Sequence, residues 1–299
     1  MIFINVILPV FLMIGVGVFF EKVKKPDFKS ISDLTLYFLS PCLIFEGLIR
    51  SKQNISEFVP KAILFMIILT LTLWILSVIF SKLLKLDDAE SSAFSLSTIM
   101  MNCGNFGLPL ILFAFGEKGL AYAVVVLVTF TFPLGTLAVF IASRGKGSIK
   151  QSILEIAKMP LFYSIVFAVI FKYFNINVPT LILKPLTLMG EAAIPTLLIL
   201  LGMQLARTNL ITNLKPISGS IFLRLFVSPI VAFIICKIFN ISGMPAKVLI
   251  LQTSTPSAII PLLYAINYDS RPDIVGGTIF FSTILSALTL TILLYLLGA

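Results

Sequence analysis

"MNCGNFGLPLILFAF", Met101 to Phe115, is the stretch on which the reading of this chain turns. It lies inside a long apolar segment, yet Asn102 to Pro109 holds two asparagines, two glycines and a proline. Hydrocarbon has no water to satisfy an opened backbone. A helix in a bilayer therefore tolerates such an interruption only where protein or a watery cavity takes over its polar groups. The stretch marks either an internal site or a packing seam built on small and polar residues.

The surroundings establish the bilayer. Of 299 residues, 59% are hydrophobic and 12% charged, against about 25% charged in an ordinary soluble domain. Ten apolar runs recur at 3–20, 31–49, 59–82, 90–114, 119–142, 157–174, 180–205, 217–239, 245–267 and 273–297. A spanning helix needs ~20 mainly apolar residues, and barrel strands would be ~10 residues with alternation. The fold class is an all-α polytopic membrane protein with ten transmembrane helices. The opening "MIFINVILPVFLMIGVGVFF" lacks a basic region and a small-residue cleavage site, so it reads as a retained first helix.

Charge and chemistry narrow the function. The net charge of +9 reads as basic loops that orient a membrane protein, not as a nucleic-acid surface. With the N-terminus outside, the inner loops hold thirteen Lys and Arg and the outer loops eight; Arg224, the last of the 22, lies within a span. Both termini are expected outside, in a bacterial cytoplasmic membrane. There is no histidine, which removes His-based catalysis, metal ligation and proton relay together. Cys42, Cys103 and Cys236 all fall within spans and lack metal-ligand spacing. No metal, no cofactor and no enzymatic activity is expected. "DDAE", Asp87 to Glu90, is read as a helix cap at the start of span 4, and "GNFG" at Gly104 to Gly107 lacks the continuation of a phosphate loop.

The chain also repeats. Pro9 in span 1 matches Pro160 in span 6, Pro41 in span 2 matches Pro195 in span 7, and Pro109 in span 4 matches Pro261 in span 9, at offsets of 151, 154 and 152. Two halves of five spans, 1–147 and 148–299, must enter the membrane in opposite directions. This is the inverted repeat frequent in secondary transporters.

Within that frame the opening stretch has a counterpart. Span 9 is interrupted at "TSTPSAIIP", Thr253 to Pro261. Gly104, Gly107 and Pro109 disrupt one helix; Pro256 and Pro261 disrupt the other. Matching interruptions in two halves point to a transport site at the midplane. Half-helices restarting there aim free N–H groups and positive dipole ends at the gap, which suits an anion. Asn102 and Asn105 add amide donors; Ser254, Thr255 and Ser257 add hydroxyls. Cys103 and Gly104 lie in the same break.

Two charges sit at depth. Arg224 in span 8 reads as snorkelling to the surface, as a partner of Glu191 in span 7, or as a substrate contact. Glu191 reads as that partner or as a proton carrier with a carboxyl titrating high through burial.

These residues resemble the auxin efflux carrier family of membrane transporters. The likeness rests on "FSLST" (Phe94–Thr98) with Asn102 and Pro109 following, on Pro256 and Pro261 followed by Tyr268 and "PDI" (Pro272–Ile274), and on "LRLFVSP" (Leu223–Pro229) with its Arg. Glu191 stands where the family has an acidic residue. The resemblance implies that helices 4 and 9 cross. It implies further that helices 1, 2, 6 and 7 form a scaffold through which two copies would dimerise, and helices 3–5 and 8–10 a transport unit that moves like an elevator. It further implies that Asn102 faces a substrate carboxylate near Ser40 and Pro41 of helix 2. The chain departs from the plant carriers at "MPL" (Met159–Leu161), where they have an Asn-Pro-Asn motif, and it lacks their long central loop. The expected activity is secondary transport of small organic anions, auxin-like or dicarboxylic. A sodium- or proton-coupled symporter of the same architecture, like the bile-acid symporters, is the alternative, and a membrane-embedded enzyme or receptor a more distant one.

Overall fold

The computed structural model describes residues 1–51, 53, 55–144, 160–208 and 213–299. Most of the central loop Ser143–Gln151, the half-chain boundary at 147/148 and Met159 of "MPL" lie outside the described residues. Among the described residues every regular element is helical. In chain order they are α1 Phe3–Lys24, α2 Phe28–Arg50, α3 Ile55–Leu83, α4 Asp88–Ile99, α5 Cys103–Ala142, α6 Pro160–Tyr173, α7 Thr180–Arg207, α8 Leu214–Ile238, α9 Gly243–Thr253, α10 Ile260–Asn267 and α11 Pro272–Leu296.

Seven of these are long and apolar enough to cross a membrane. The expected spans 4 and 9 are the ones that divide. Span 4 is α4 followed by the start of α5, and span 9 is α9 followed by α10. At 12, 11 and 8 residues, α4, α9 and α10 are each too short to cross alone. Span 5 continues in α5 beyond Gly116, whose φ of 64° and ψ of −162° interrupt the helix as only glycine readily permits. The cap reading of "DDAE" holds in atomic detail. Asp87 accepts from the Glu90 N–H at 2.8 Å, and Glu90 accepts in return from the Asp87 N–H at 3.3 Å.

Among the described residues four short π-helical turns punctuate the spans, at Phe3–Ile7, Thr35–Leu39, Cys103–Gly107 and Leu223–Val227. Each ends two residues before a proline: Pro9, Pro41, Pro109 and Pro229. A proline lacks the N–H that the ladder needs, and its ring crowds the carbonyl one turn back. Widening the preceding turn by one residue relieves that crowding: Leu8, Ser40 and Ser228 donate to carbonyls five residues back.

Packing divides the helices into two neighbourhoods. α1 lies along α7, and α2 packs on α6 and α7. The α1–α7 contact is backbone to backbone: a Cβ at Gly17 would lie 2.1 Å from the Ile199 carbonyl oxygen, and one at Gly202 would lie 2.0 Å from that of Ile14. α3, α4, α8 and α11 form the other neighbourhood, with α9 against α5 and α8. The two meet where α7 touches the Cys103–Gly107 turn, and where Phe11 of α1 sets its ring edge-on to Phe106.

Loop contacts sort onto two ends of the bundle. At one end Arg207 pairs with Glu21 at 2.8 Å, Lys215 reaches the Leu84 carbonyl, Arg271 pairs with Glu90 at 3.2 Å, and Arg144 reaches the Asp269 carbonyl. At the other, Lys172 reaches the Ser51 carbonyl, Tyr122 bonds Gln53, and Lys247 bonds the Gly298 carbonyl.

Candidate functional site

The two interruptions touch. α4 ends as Met100 turns extended (φ −86°, ψ 102°), and Met101 forms an isolated antiparallel bridge with Ser257. The Asn102 N–H donates to the Pro256 carbonyl at 2.8 Å, and the Ala258 N–H donates to the Met100 carbonyl at 2.8 Å. Opened backbone at depth thus finds its partners in the other opened backbone, as a bilayer requires. The Ser257 hydroxyl reinforces the junction by donating to the Ser97 carbonyl at 2.6 Å.

The exchange follows a simple rule. In a continuous helix the Asn102 N–H would bond the Thr98 carbonyl, and the Ser257 N–H would bond that of Thr253, each four residues back. Here Asn102 turns to Pro256, and Ser257 donates instead to the Ser282 hydroxyl at 3.2 Å. The freed carbonyls of Thr98 and Thr253 both accept from Arg224, which also donates to the Ile99 carbonyl at 3.2 Å and to the Ser228 hydroxyl at 3.1 Å. Ser228 in turn donates to Thr253 at 2.9 Å.

Beyond the bridge both helices restart, one at Cys103 with the π turn leading into Pro109, the other at Ile260 with Pro261 in its first turn. In a first turn the missing N–H costs nothing, so Pro261 opens its half-helix. Asn102 caps the restart: its Oδ1 accepts from the Phe106 N–H at 3.4 Å, and its carbonyl accepts from the Gly107 N–H at 2.9 Å. Its Nδ2 is buried with no partner, as is the Ser97 hydroxyl.

The expected site residues distribute as follows. Asn102, Cys103, Pro256 and Ser257 are buried at the junction, and Gly104 and Asn105 are half-buried in the π turn beside it. The hydroxyls of Ser254 and Thr255 are buried but donate back to Ile250 and Gln252 within their own segment. Ser40 and Pro41 are not part of the junction's hydrogen bonding. The Ser40 hydroxyl is buried without a partner, and Pro41 lines an apolar groove with Phe45, Phe167 and Phe171.

Two readings of the charged residues need correction. Arg224 does not snorkel: it is 0% exposed. Nor does it pair with Glu191; its partners are helix-end carbonyls and one hydroxyl, groups whose partial charge substitutes for a carboxylate. Glu191 is exposed, so the burial that the proton-carrier reading requires is absent. It lines a cavity of about 450 Å³ between α2, α5 and α7, with Glu46, Arg50, Glu117, Lys118 and Pro195. Glu46 is held there by Arg50 at 2.9 Å.

Sequence reasoning passed over Gln252. It is fully buried beside the junction, its Nε2 reaches the Ala123 carbonyl at 3.3 Å and that of Cys103 at 3.5 Å, and its Oε1 has no partner. The available signal was a polar amide inside an apolar span, immediately ahead of the interruption.

Comparison with known proteins identifies the family. Residues 2–294 match the family model described as membrane transport protein. An uncharacterized transporter of Methanocaldococcus jannaschii is 29% identical over 98% of this chain and 98% of its own. An uncharacterized transporter of Methanothermobacter thermautotrophicus is 28% identical over 88% of this chain and 87% of its own. Auxin efflux carrier component 1 of Arabidopsis thaliana is 27% identical over 48% of this chain and 24% of its own. A family match over nearly the whole length, on a bundle of membrane-length helices, makes this chain an integral membrane transporter of the auxin efflux carrier family.

Proposed function

We propose that the protein is a secondary transporter of small organic anions, working by alternating access. The observation that carries the reading is the junction of the two interrupted helices, with the Asn102 amide buried there and free to donate. The negative ends of α4 and α9 are taken up by Arg224, while the restarting helices present positive ends. The balance favours an anion such as a carboxylate. The plant relatives are named as auxin efflux carriers, which is in keeping with an organic acid as cargo.

The architecture we propose is ten crossings in two inverted five-helix repeats, with both termini outside. The sorting of loop contacts onto two ends supports it, because each contact joins loops that such a path puts on one side. The two packing neighbourhoods match a scaffold of spans 1, 2, 6 and 7 and a transport unit of spans 3–5 and 8–10. The 450 Å³ cavity lies at the seam between them, where an elevator motion would admit substrate.

The test is flux of labelled carboxylic acids into proteoliposomes. Saturable uptake is expected in the wild type, with a loss of tenfold or more in Asn102→Ala, since one buried hydrogen bond to a charged group is worth about 1.5–3 kcal/mol. Uptake of wild-type rate in that variant, with protein of normal stability, removes Asn102 from the site.

A further inference from the structure

We infer that the carbonyl ends of α4 and α9 form a cation site that the protein fills with its own guanidinium, so that no sodium ion binds at this junction. Unwound carbonyls and half-helix C-terminal ends are where transporters of broken-helix design hold a coupling cation. Here the carbonyls of Thr98, Ile99 and Thr253 and the hydroxyl of Ser228 surround Arg224. Two helix C-termini meet at one buried point, and each carries about half an elementary negative charge. Together they offset the single positive charge of a guanidinium that is 0% exposed and, among the described residues, has no carboxylate partner. Without that compensation a buried charge is costly.

Three features fit Arg to the place. Its planar fork reaches carbonyls on two helices at once, which a lysine ammonium on its stem does less well. It stands in a π turn, Leu223–Val227, with Ser228 immediately after; Arg224 and Ser228 bond each other and both reach the Thr253 carbonyl. It is also tethered: a covalently attached cation cannot be exchanged with the solution on either side of the membrane. The charge at the junction is therefore permanent, and the electrostatic balance that favours an anion does not depend on the sodium concentration.

The experiment is thermal melting of the purified protein in sodium, potassium or N-methylglucamine chloride at equal ionic strength. Wild type is expected to melt within about 1 °C in all three. Arg224→Ala leaves the buried carbonyls of Thr98 and Ile99 without a donor and Thr253 with Ser228 alone, and its melting temperature should fall by roughly 10 °C. Millimolar guanidinium or sodium should restore part of that loss, and N-methylglucamine should not. Saturable stabilisation of the wild type by sodium over N-methylglucamine would overturn the inference, as would an Arg224→Ala protein that melts like wild type or one that no small cation restores. Where Arg224→Ala yields no folded protein, Arg224→Lys decides. Retaining the charge, it should fold, with a lower melting temperature that is indifferent to sodium. A Lys variant that also fails to fold shows that shape rather than charge is needed, and overturns the cation role. No transported substrate enters these measurements, so this inference and the anion-carrier reading stand or fall separately.

Discussion

Ser254 and Ser257 lie three residues apart in one interruption and use their hydroxyls differently. Ser254 donates to Ile250 within its own turn, at 2.6 Å. Ser257 donates across the junction to Ser97, also at 2.6 Å, while its N–H is held by Ser282. Removing the first bond leaves a carbonyl that keeps local alternatives; removing the second leaves a buried helix-end carbonyl without a donor. Ser254→Ala is therefore expected to cost under about 1 kcal/mol, and Ser257→Ala about 1–3 kcal/mol. Chemical or thermal melting of the two variants side by side should show the larger loss at Ser257. Equal losses would mean that the bridge contributes nothing beyond its main-chain bonds. Gln252 belongs to the same scale. Its one unpartnered oxygen and the unpartnered Asn102 amide are both buried at the junction, where a cargo with a donor and a carboxylate would find complementary groups.

At the scale of elements, the contact of α1 with α7 offers a test free of chemistry. Gly15 and Gly17 occupy the same helix, two residues apart. A Cβ at Gly15 meets nothing within 4 Å, whereas one at Gly17 would lie 2.1 Å from the Ile199 carbonyl oxygen, so the backbones would have to separate. Gly15→Ala should be neutral or stabilising by up to about 1 kcal/mol, through helix propensity. Gly17→Ala and Gly202→Ala should each destabilise by about 1–3 kcal/mol. Small residues at such a seam let two membrane helices approach to dispersion range, the main attraction left when lipid is as apolar as the side chains. If all three variants melt together, the close approach of α1 and α7 is not what holds these helices together.

For the whole molecule, the arrangement of loops sets a prediction about sidedness. Glu21, Leu84, Glu90, Arg144, Arg207, Lys215, Asp269 and Arg271 join one another at one end of the bundle, while Ser51, Gln53 and Lys172 meet at the other. With both termini outside, an impermeant thiol reagent added to whole cells should label Lys118→Cys and spare Lys85→Cys. Both positions are exposed, and the native Cys42, Cys103 and Cys236 are buried, so background labelling should be low. The opposite pattern would invert the orientation while leaving the fold and the junction intact.

What the sequence determined by itself was the membrane, the all-helical class and the location of the interruptions. Length, apolarity, glycine and proline act through the local backbone, so "NCGNFGLP" and "TSTPSAIIP" announce breaks without reference to any partner. The capping box at Asp87 was legible for the same reason. Tertiary structure alone decided which polar groups the breaks offer and to whom. Arg224 takes carbonyls 125 and 126 residues away along the chain, and no periodicity in its own span shows that. Pro41, which the family resemblance sets near Asn102, lines a groove with α6; Glu191 looked buried and instead faces a cavity. A helix break is a property of its own residues, whereas the partner of a freed carbonyl or a lone charge is set by whichever helices packing brings within 3 Å or so.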